Sequence, residues 1–186
     1  YERRDPIYEA SRYRDLFEEA EEENQLPKHL LPSIMVGYEN REVNPRAYSE
    51  SECAGLWQLS AGTGASLGLR IDEYVDERLD PEKSTRAIGQ YARTLREVYG
   101  NNLTSLLESG YHGTAITKID GKKVLITPPT DYSQEITKTL KRFNEGEIKF
   151  DESVPLFSQA RKECGLYLTR QDETLYSAAE RLGVDK

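Results

Sequence analysis

The sequence has few of the residues that build metal sites and disulfide frameworks. Two Cys, two His, one Met and one Trp occur among its 186 residues. Cys53 and Cys164 are too few for a disulfide scaffold and have no CxxC spacing. Two histidines also argue against a His-rich metal site. We therefore predict a protein without a metal or any other cofactor.

Basic residues are also fewer than acidic ones. Lys and Arg together number 25 against 33 Asp and Glu, so the formal net charge is −8. Because phosphate affinity depends on clustered Lys and Arg, this balance argues against nucleic acid as a partner. It does not favour docking on an anionic membrane either. An acidic protein is better suited to a cationic ligand.

Long hydrophobic runs are missing as well. No segment approaches the ~20 apolar residues of a membrane-spanning helix, and no signal peptide is present. The chain begins at Tyr1 rather than at Met, which leads us to expect a processed or trimmed product. A chain of this length is sufficient for one domain with a sizeable core. We predict a single domain, 1–186, that is monomeric.

The hydrophobic periodicity predicts a mainly α fold with a little β structure, a helical bundle that carries one small β-hairpin. Helical spacing occurs in 1–24, after Leu26-Pro27, from Pro81 to about Tyr99, in 132–143 and in 174–182. Asp80-Pro81 is a typical helix start, with a capping Asp and Pro at the first helical position. Alternating β-branched residues around Asp120-Gly121 predict the hairpin over 114–127. The acidic run 18–23 is interpreted as a solvated helix end.

Two carboxylates, Glu39 and Glu42, precede the compact apolar segment 55–59. Cleavage of a glycosidic bond needs a carboxylic acid that stays protonated near neutral pH and donates to the leaving oxygen. Partial burial at a helix end raises the pKa of a carboxyl group in that direction, and a second carboxylate nearby adds to the effect. The sequence thus offers a candidate general acid for glycoside cleavage.

A set of short motifs gives this chemistry a family context. In chain order they are Asn44-Pro45-Arg46-Ala47-Tyr48-Ser49, Ala54-Gly55-Leu56-Trp57-Gln58-Leu59, Gly62-Thr63-Gly64, Gly68-Leu69, Asp76-Glu77-Arg78-Leu79-Asp80-Pro81 and Ser84-Thr85-Arg86-Ala87. Together they resemble the lytic transglycosylases of glycoside hydrolase family 23, in the goose-type lysozyme superfamily. The branch they resemble most is that of the membrane-bound lytic murein transglycosylases D.

The resemblance covers about 26–113 and carries several implications. It implies a lysozyme-like core there, followed by the hairpin at 114–127 and C-terminal helices over 130–186. It also implies a peptidoglycan glycosidase that cleaves the bond between N-acetylmuramic acid and N-acetylglucosamine, in the periplasm or outside the cell. The product would be a 1,6-anhydro sugar if the enzyme is a transglycosylase, or a hydrolysed end if it is a lysozyme.

The position of the catalytic acid is ambiguous in this sequence. In the family a catalytic Glu precedes the Asn-Pro element by a fixed number of residues. Counted back from Asn44, this spacing gives position 40, which is Asn here. Counting forward from Leu26-Pro27 leads to Gly37 instead, so the two anchors disagree by three residues. Glu39 and Glu42 are the acids in this interval. We predict Glu39 as the catalytic acid, with Glu42 as the alternative and an inactive site as the third possibility.

Further residues are assigned by the same resemblance. The substrate-binding positions it implies are Ser49, Glu52, Gln58, Tyr111 and His112, the last standing where the family has Asn. Ser49 is equally well explained as a turn residue. Trp57 is predicted to be a core residue rather than a sugar platform. Cys53 and Cys164 either pair or remain free thiols. The segment 172–184 is similar to the opening of a LysM repeat, although we prefer a plain amphipathic helix.

Two hypotheses compete with or extend the leading one. The displaced Glu and the His in place of the family Asn also fit a non-catalytic peptidoglycan-binding or envelope scaffold protein. Glu50 and Glu52, close to the predicted acid, would attract a glycan whose amines have been unmasked by deacetylation. That second idea would give the −8 charge a role in substrate choice.

Overall fold

The computed structural model describes residues 5–39, 42–99, 102, 107, 116–119, 122–125 and 130–163. The chain divides into two compact units, Tyr1–Leu156 and Phe157–Lys186. The first unit contains every element of the predicted core. Within the second, the described part is one helix, Phe157–Glu163.

Helices dominate the described residues, which confirms the mainly α prediction. The α-helices are α1 (Pro6–Ala10), α2 (Arg14–Glu23), α3 (Leu30–Ile34), α4 (Ala61–Ser66), α5 (Pro81–Tyr99), α6 (Asp131–Asn144) and α7 (Phe157–Glu163). Short 3₁₀ turns occupy Ser11–Tyr13 and Glu77–Leu79, and a π-helical turn occupies Met35–Glu39. The strands are β1 (Ile116–Ile119) and β2 (Lys122–Leu125). Across these described ranges, no helix is long and apolar enough to cross a membrane.

The longest helix, α5, begins where its cap predicts. Asp80 Oδ1 accepts the backbone N–H groups of Glu82 and Lys83 at 2.9 and 3.2 Å, ahead of Pro81. The inward face of α5 is buried at Ala87, Ile88, Ala92 and Leu95, whereas Val98 is 43% exposed. α5 packs against α2 at Gly89, where an added Cβ would lie 3.2 Å from the Ala20 Cβ.

The hairpin is present with the predicted pairing. β1 and β2 are antiparallel, in a register that pairs Ile116 with Leu125 and Ile119 with Lys122. Two residues remain between the strands, as a two-residue hairpin turn requires. The turn residues themselves lie outside the described part, as do the predicted helix 174–182 and the segment similar to LysM.

The acidic run at the end of α2 is solvated as predicted except at Glu21, where the prediction was wrong. Its other glutamates are exposed, whereas Glu21 is only 4% exposed. Its two carboxylate oxygens accept the backbone N–H groups of His29 and Leu31, each at 2.8 Å. Glu21 thus caps the start of α3, because the chain turns back and brings that helix end against α2. Burial raises the pKa of Glu21 to about 7.

α6 supports the helix that carries the predicted catalytic acid. It begins at Asp131 and buries Tyr132, Ile136, Leu140 and Phe143. Gly37 in the π turn faces it closely, since a Cβ there would lie 3.4 Å from Thr139 Oγ1 and 3.5 Å from Ile136 Cα. α6 therefore fixes the backbone that leads to Glu39.

Candidate active site

The helix that holds the predicted acid ends in a π turn. This turn, Met35–Glu39, follows directly on α3, whose residues are buried throughout. A π turn takes more residues than an α turn, and such turns are frequent at functional sites. It lies in the interval where the two family anchors disagree in spacing. Glu39 is the last residue of the turn, and the surroundings of its side chain lie outside the described part.

The alternative acid, Glu42, is exposed to solvent. The next residue, Val43, is buried and has a φ of 50°. The Asn-Pro element that follows is a tight turn, in which Asn44 Oδ1 accepts the N–H of Arg46 at 2.9 Å. The Asn44 carbonyl accepts the N–H of Ala47 at 3.2 Å. This motif therefore forms a tight turn that begins two residues after Glu42.

The segment after this turn forms a small network of isolated β-bridges. Tyr48 pairs with Ala54, and Ala54 pairs in turn with Leu59. Ser49 closes the first loop, since its Oγ accepts the Cys53 N–H at 3.1 Å and its N–H donates to the Cys53 carbonyl at 2.9 Å. The turn role of Ser49 is thus visible in the structure, while a substrate-binding role stays a prediction.

Two more predicted site residues lie on this segment in an unusual backbone conformation. Gln58 has a φ of 45° and Glu52 a φ of 60°, in the left-handed region that non-glycine residues seldom adopt. The Gln58 side-chain amide donates to the Gly55 carbonyl at 2.8 Å, and Glu52 is exposed. With Val43, three such residues fall within 43–58. Strain of this kind persists only where surrounding structure enforces it, and it clusters at functional sites.

The surrounding structure here is a buried arginine, Arg78, which is 5% exposed. Its Nη1 donates to the carbonyls of Glu52 and Leu59 at 2.9 and 2.8 Å. Its Nε and Nη2 hold the two carboxylate oxygens of Asp76 at 2.9 and 2.7 Å. We call these contacts the Arg78 clamp. One guanidinium thereby fixes both ends of the segment that carries Gln58.

Sequence reasoning included Arg78 in a motif but gave it no role. The signal that could have found it is Asp76 two residues earlier, a local partner able to neutralise a buried guanidinium. Hydrogen bonding to Arg78 holds the pKa of the Asp76 carboxyl below its usual range. The two carbonyls in the clamp lie 19 and 26 positions away in sequence, so no local pattern indicates them.

Trp57 is a core residue, as predicted. It is 1% exposed, its Nε1 donates to Thr85 Oγ1 at 2.9 Å, and its ring meets Phe17 edge-to-face at 6.0 Å. It therefore links the candidate site segment to α5 and α2. It offers no surface to a sugar.

Other predicted residues fall outside the described ranges. These are Tyr111, His112 and Cys164. Cys53 is a half-buried free thiol in the structure, and whether it pairs with Cys164 stays a prediction. Among the described residues, no group of His, Cys, Asp and Glu is arranged to hold a metal ion.

Comparison with known proteins finds similarity over the part of the chain that carries these motifs. The family model described as the transglycosylase SLT domain matches residues 15–123, which extends beyond both ends of the predicted core. "Membrane-bound lytic murein transglycosylase F 1" of Alkalilimnicola ehrlichii is 37% identical over 86 residues, covering 46% of this chain and 16% of that protein. "Membrane-bound lytic murein transglycosylase F 2" of the same organism is 35% identical over 80 residues, covering 43% and 16%. The match to this chain thus spans about one sixth of each relative.

Proposed function

Because the chain belongs to the transglycosylase SLT domain family, we propose that it is a lytic transglycosylase that cleaves the glycan strands of peptidoglycan. The family match carries this proposal, since it spans more than half of the chain and includes Glu39, the Arg78 clamp and α5. Both curated relatives are named as lytic murein transglycosylases. They carry the F designation, so the assignment to the D branch stays a prediction.

We propose Glu39 as the single general acid and base. It would protonate the oxygen that bridges N-acetylmuramic acid and N-acetylglucosamine, and the bond would break through an oxocarbenium-like transition state. The resulting Glu39 carboxylate would then remove the proton of the muramyl C6 hydroxyl, which closes a 1,6-anhydro ring. If it activated water instead, the product would be hydrolysed. The position of Glu39 after a buried helix supports this choice over Glu42, which stands in solvent.

The test compares Glu39→Gln with Glu42→Gln, its matched control three residues away. Each variant is incubated with purified sacculi, and released muropeptides are identified by mass spectrometry. We expect Glu39→Gln to lower release by at least ~100-fold, with an unchanged circular dichroism spectrum, and Glu42→Gln to keep most activity. Products with anhydro ends support transglycosylation, and hydrolysed ends support a lysozyme. The reverse ranking of the variants would transfer the role to Glu42.

A second candidate function is non-catalytic binding of peptidoglycan. The observations that favour it are the shifted position of Glu39 relative to the two family anchors and His112 in place of the family Asn. Turbidity of sacculi and sedimentation with the same material separate the two functions. Binding by the unaltered protein without any loss of turbidity would support the scaffold and contradict the enzyme.

The same proposal includes a single domain, a monomer and a periplasmic or secreted location. It also includes substrate-binding roles for Ser49, Glu52, Gln58, Tyr111 and His112.

A preference for deacetylated glycan is supported by the exposure of Glu50 and Glu52 beside the clamp. Lysis of native and chemically deacetylated sacculi should be compared for the unaltered protein and for Glu52→Gln. Faster lysis of the native material by the unaltered protein would rule out this preference.

A further inference from the structure

Tyr48 presents an aromatic ring to solvent beside the candidate active site. It is 57% exposed, one of the few large hydrophobic side chains on the described surface. It lies between the Asn-Pro turn and Ser49, and its backbone pairs with Ala54. The ring is therefore carried by the network that also positions Gln58.

This exposed ring is held in place, which is unusual for a surface tyrosine. Its hydroxyl donates to Asp76 Oδ2 at 3.1 Å. The Arg78 guanidinium carbon lies 6.0 Å from the ring centroid, within cation–π range. Arg78 is itself fixed by four further hydrogen bonds, to Asp76, Glu52 and Leu59. The support beneath Tyr48 is thus a buried arginine and a half-buried aspartate joined by hydrogen bonds, while much of the ring stays open.

A fixed aromatic ring binds with little loss of conformational freedom. Tyrosine combines a large apolar face with a polar edge, which suits ligands that have both characters. A pyranose ring has this character, with C–H groups on its faces and hydroxyls around its edge. Preorganisation by Asp76 and Arg78 means that binding need not immobilise the side chain again.

We propose that Tyr48 is a stacking platform for one sugar ring of the glycan strand, with Asp76 and Arg78 as its support. This inference rests on the proposed function, because the ligand it names is the substrate of that site. It adds a binding position that neither the motifs nor the family match assigned. It also gives the Arg78 clamp a second effect, since the same guanidinium orders the loop and steadies the ring.

The experiment measures binding to purified sacculi by sedimentation, together with KM and kcat for muropeptide release. The variants are Tyr48→Leu, which keeps an apolar side chain but loses the ring, and Tyr48→Phe, which keeps the ring but loses the bond to Asp76. Tyr8→Leu is the matched control, because Tyr8 is an exposed tyrosine, 43% exposed, on α1. Thermal unfolding checks that each variant is folded.

We expect Tyr48→Leu to weaken binding and raise KM by about tenfold, with kcat within about twofold of the unaltered protein. Tyr48→Phe should lose no more than about threefold, and Tyr8→Leu should bind normally. Equal binding by Tyr48→Leu and the unaltered protein would overturn the platform and leave the proposed function standing. Failure of the unaltered protein to bind sacculi at all would overturn both.

Discussion

The carbonyl oxygen of Arg78 occupies the space that a side chain on Gly55 would need. A Cβ built on Gly55 would lie 1.9 Å from that oxygen and 2.8 Å from the carbonyl carbon, and Gly55 has a φ of +81°. The site segment therefore passes directly against the backbone of Arg78. This close approach brings the carbonyls of Glu52 and Leu59 within reach of the guanidinium.

Gly55→Ala should therefore destabilise the protein strongly. The new methyl group overlaps backbone atoms, and alanine disfavours a positive φ, so we expect a loss of ~3 kcal/mol or more. Gly62→Ala is the matched control, because a Cβ there meets no atom within 4 Å and Gly62 lies in α4. That control should be neutral or stabilising by up to ~1 kcal/mol. Urea unfolding measures both, and similar stabilities would show that the loop can move away from Arg78.

The free energy of unfolding should depend on the shape of the cation at position 78 as well as on its charge. Arg78→Met removes the guanidinium that donates to the Asp76 carboxylate and to two carbonyls, which should cost ~3–5 kcal/mol. Arg78→Lys restores the charge but not the planar fork, so its stability should be intermediate. Arg93→Met is the control, since its ion pair with Glu97 is exposed and worth less than ~1 kcal/mol. Chemical unfolding of the three variants tests this order, and a lysine variant as stable as the original would contradict it.

Glu21 should make stability depend on pH in a defined direction. Its pKa is raised from 4.5 to about 7 by burial, with a like charge from Glu18 opposed by Lys28 and two backbone N–H groups. A raised folded-state pKa gives a contribution fully present below pH 4.5 and lost as pH rises through 7. The change is of the order of 3 kcal/mol at most.

We expect Glu21→Gln to flatten the fall in stability between pH 4.5 and pH 7, although it costs some stability because one acceptor oxygen is lost. Glu22→Gln, at an exposed position on the same helix, is the matched control. Denaturant midpoints at several pH values test this. A profile for Glu21→Gln parallel to that of the unaltered protein would show that Glu21 does not titrate in this range.

Trp57 and Thr85 should be energetically coupled. Trp57→Phe removes the donor to a buried hydroxyl and part of the packing on Phe17, with an expected loss of ~2–3 kcal/mol. Combining it with Thr85→Val removes the acceptor as well, so the double variant should lose less than the sum of the single losses. Circular dichroism must follow unfolding, because Trp57 is the sole tryptophan. Simple additivity would contradict the coupling.

The predictions that proved correct came from local signals in the sequence. Asp80-Pro81 predicted the start of α5 because a cap and its acceptor bonds lie within three residues of each other. The alternation around Asp120-Gly121 predicted the pairing of β1 with β2 for the same local reason. The composition of the acidic run, by contrast, wrongly predicted that Glu21 is exposed. Its partners His29 and Leu31 become neighbours only after the chain turns back.

By itself the sequence determined the helical class, the order of the motifs and the family to which they point. These depend on periodicity, caps and spacing along the chain. Only the tertiary structure decided that Glu21 is buried, that a π turn precedes the candidate acid and that Arg78 joins Glu52 to Leu59. It also decided that Tyr48 rests on Asp76 and Arg78. Such contacts join residues distant in sequence, and their energies exist only once the chain has folded.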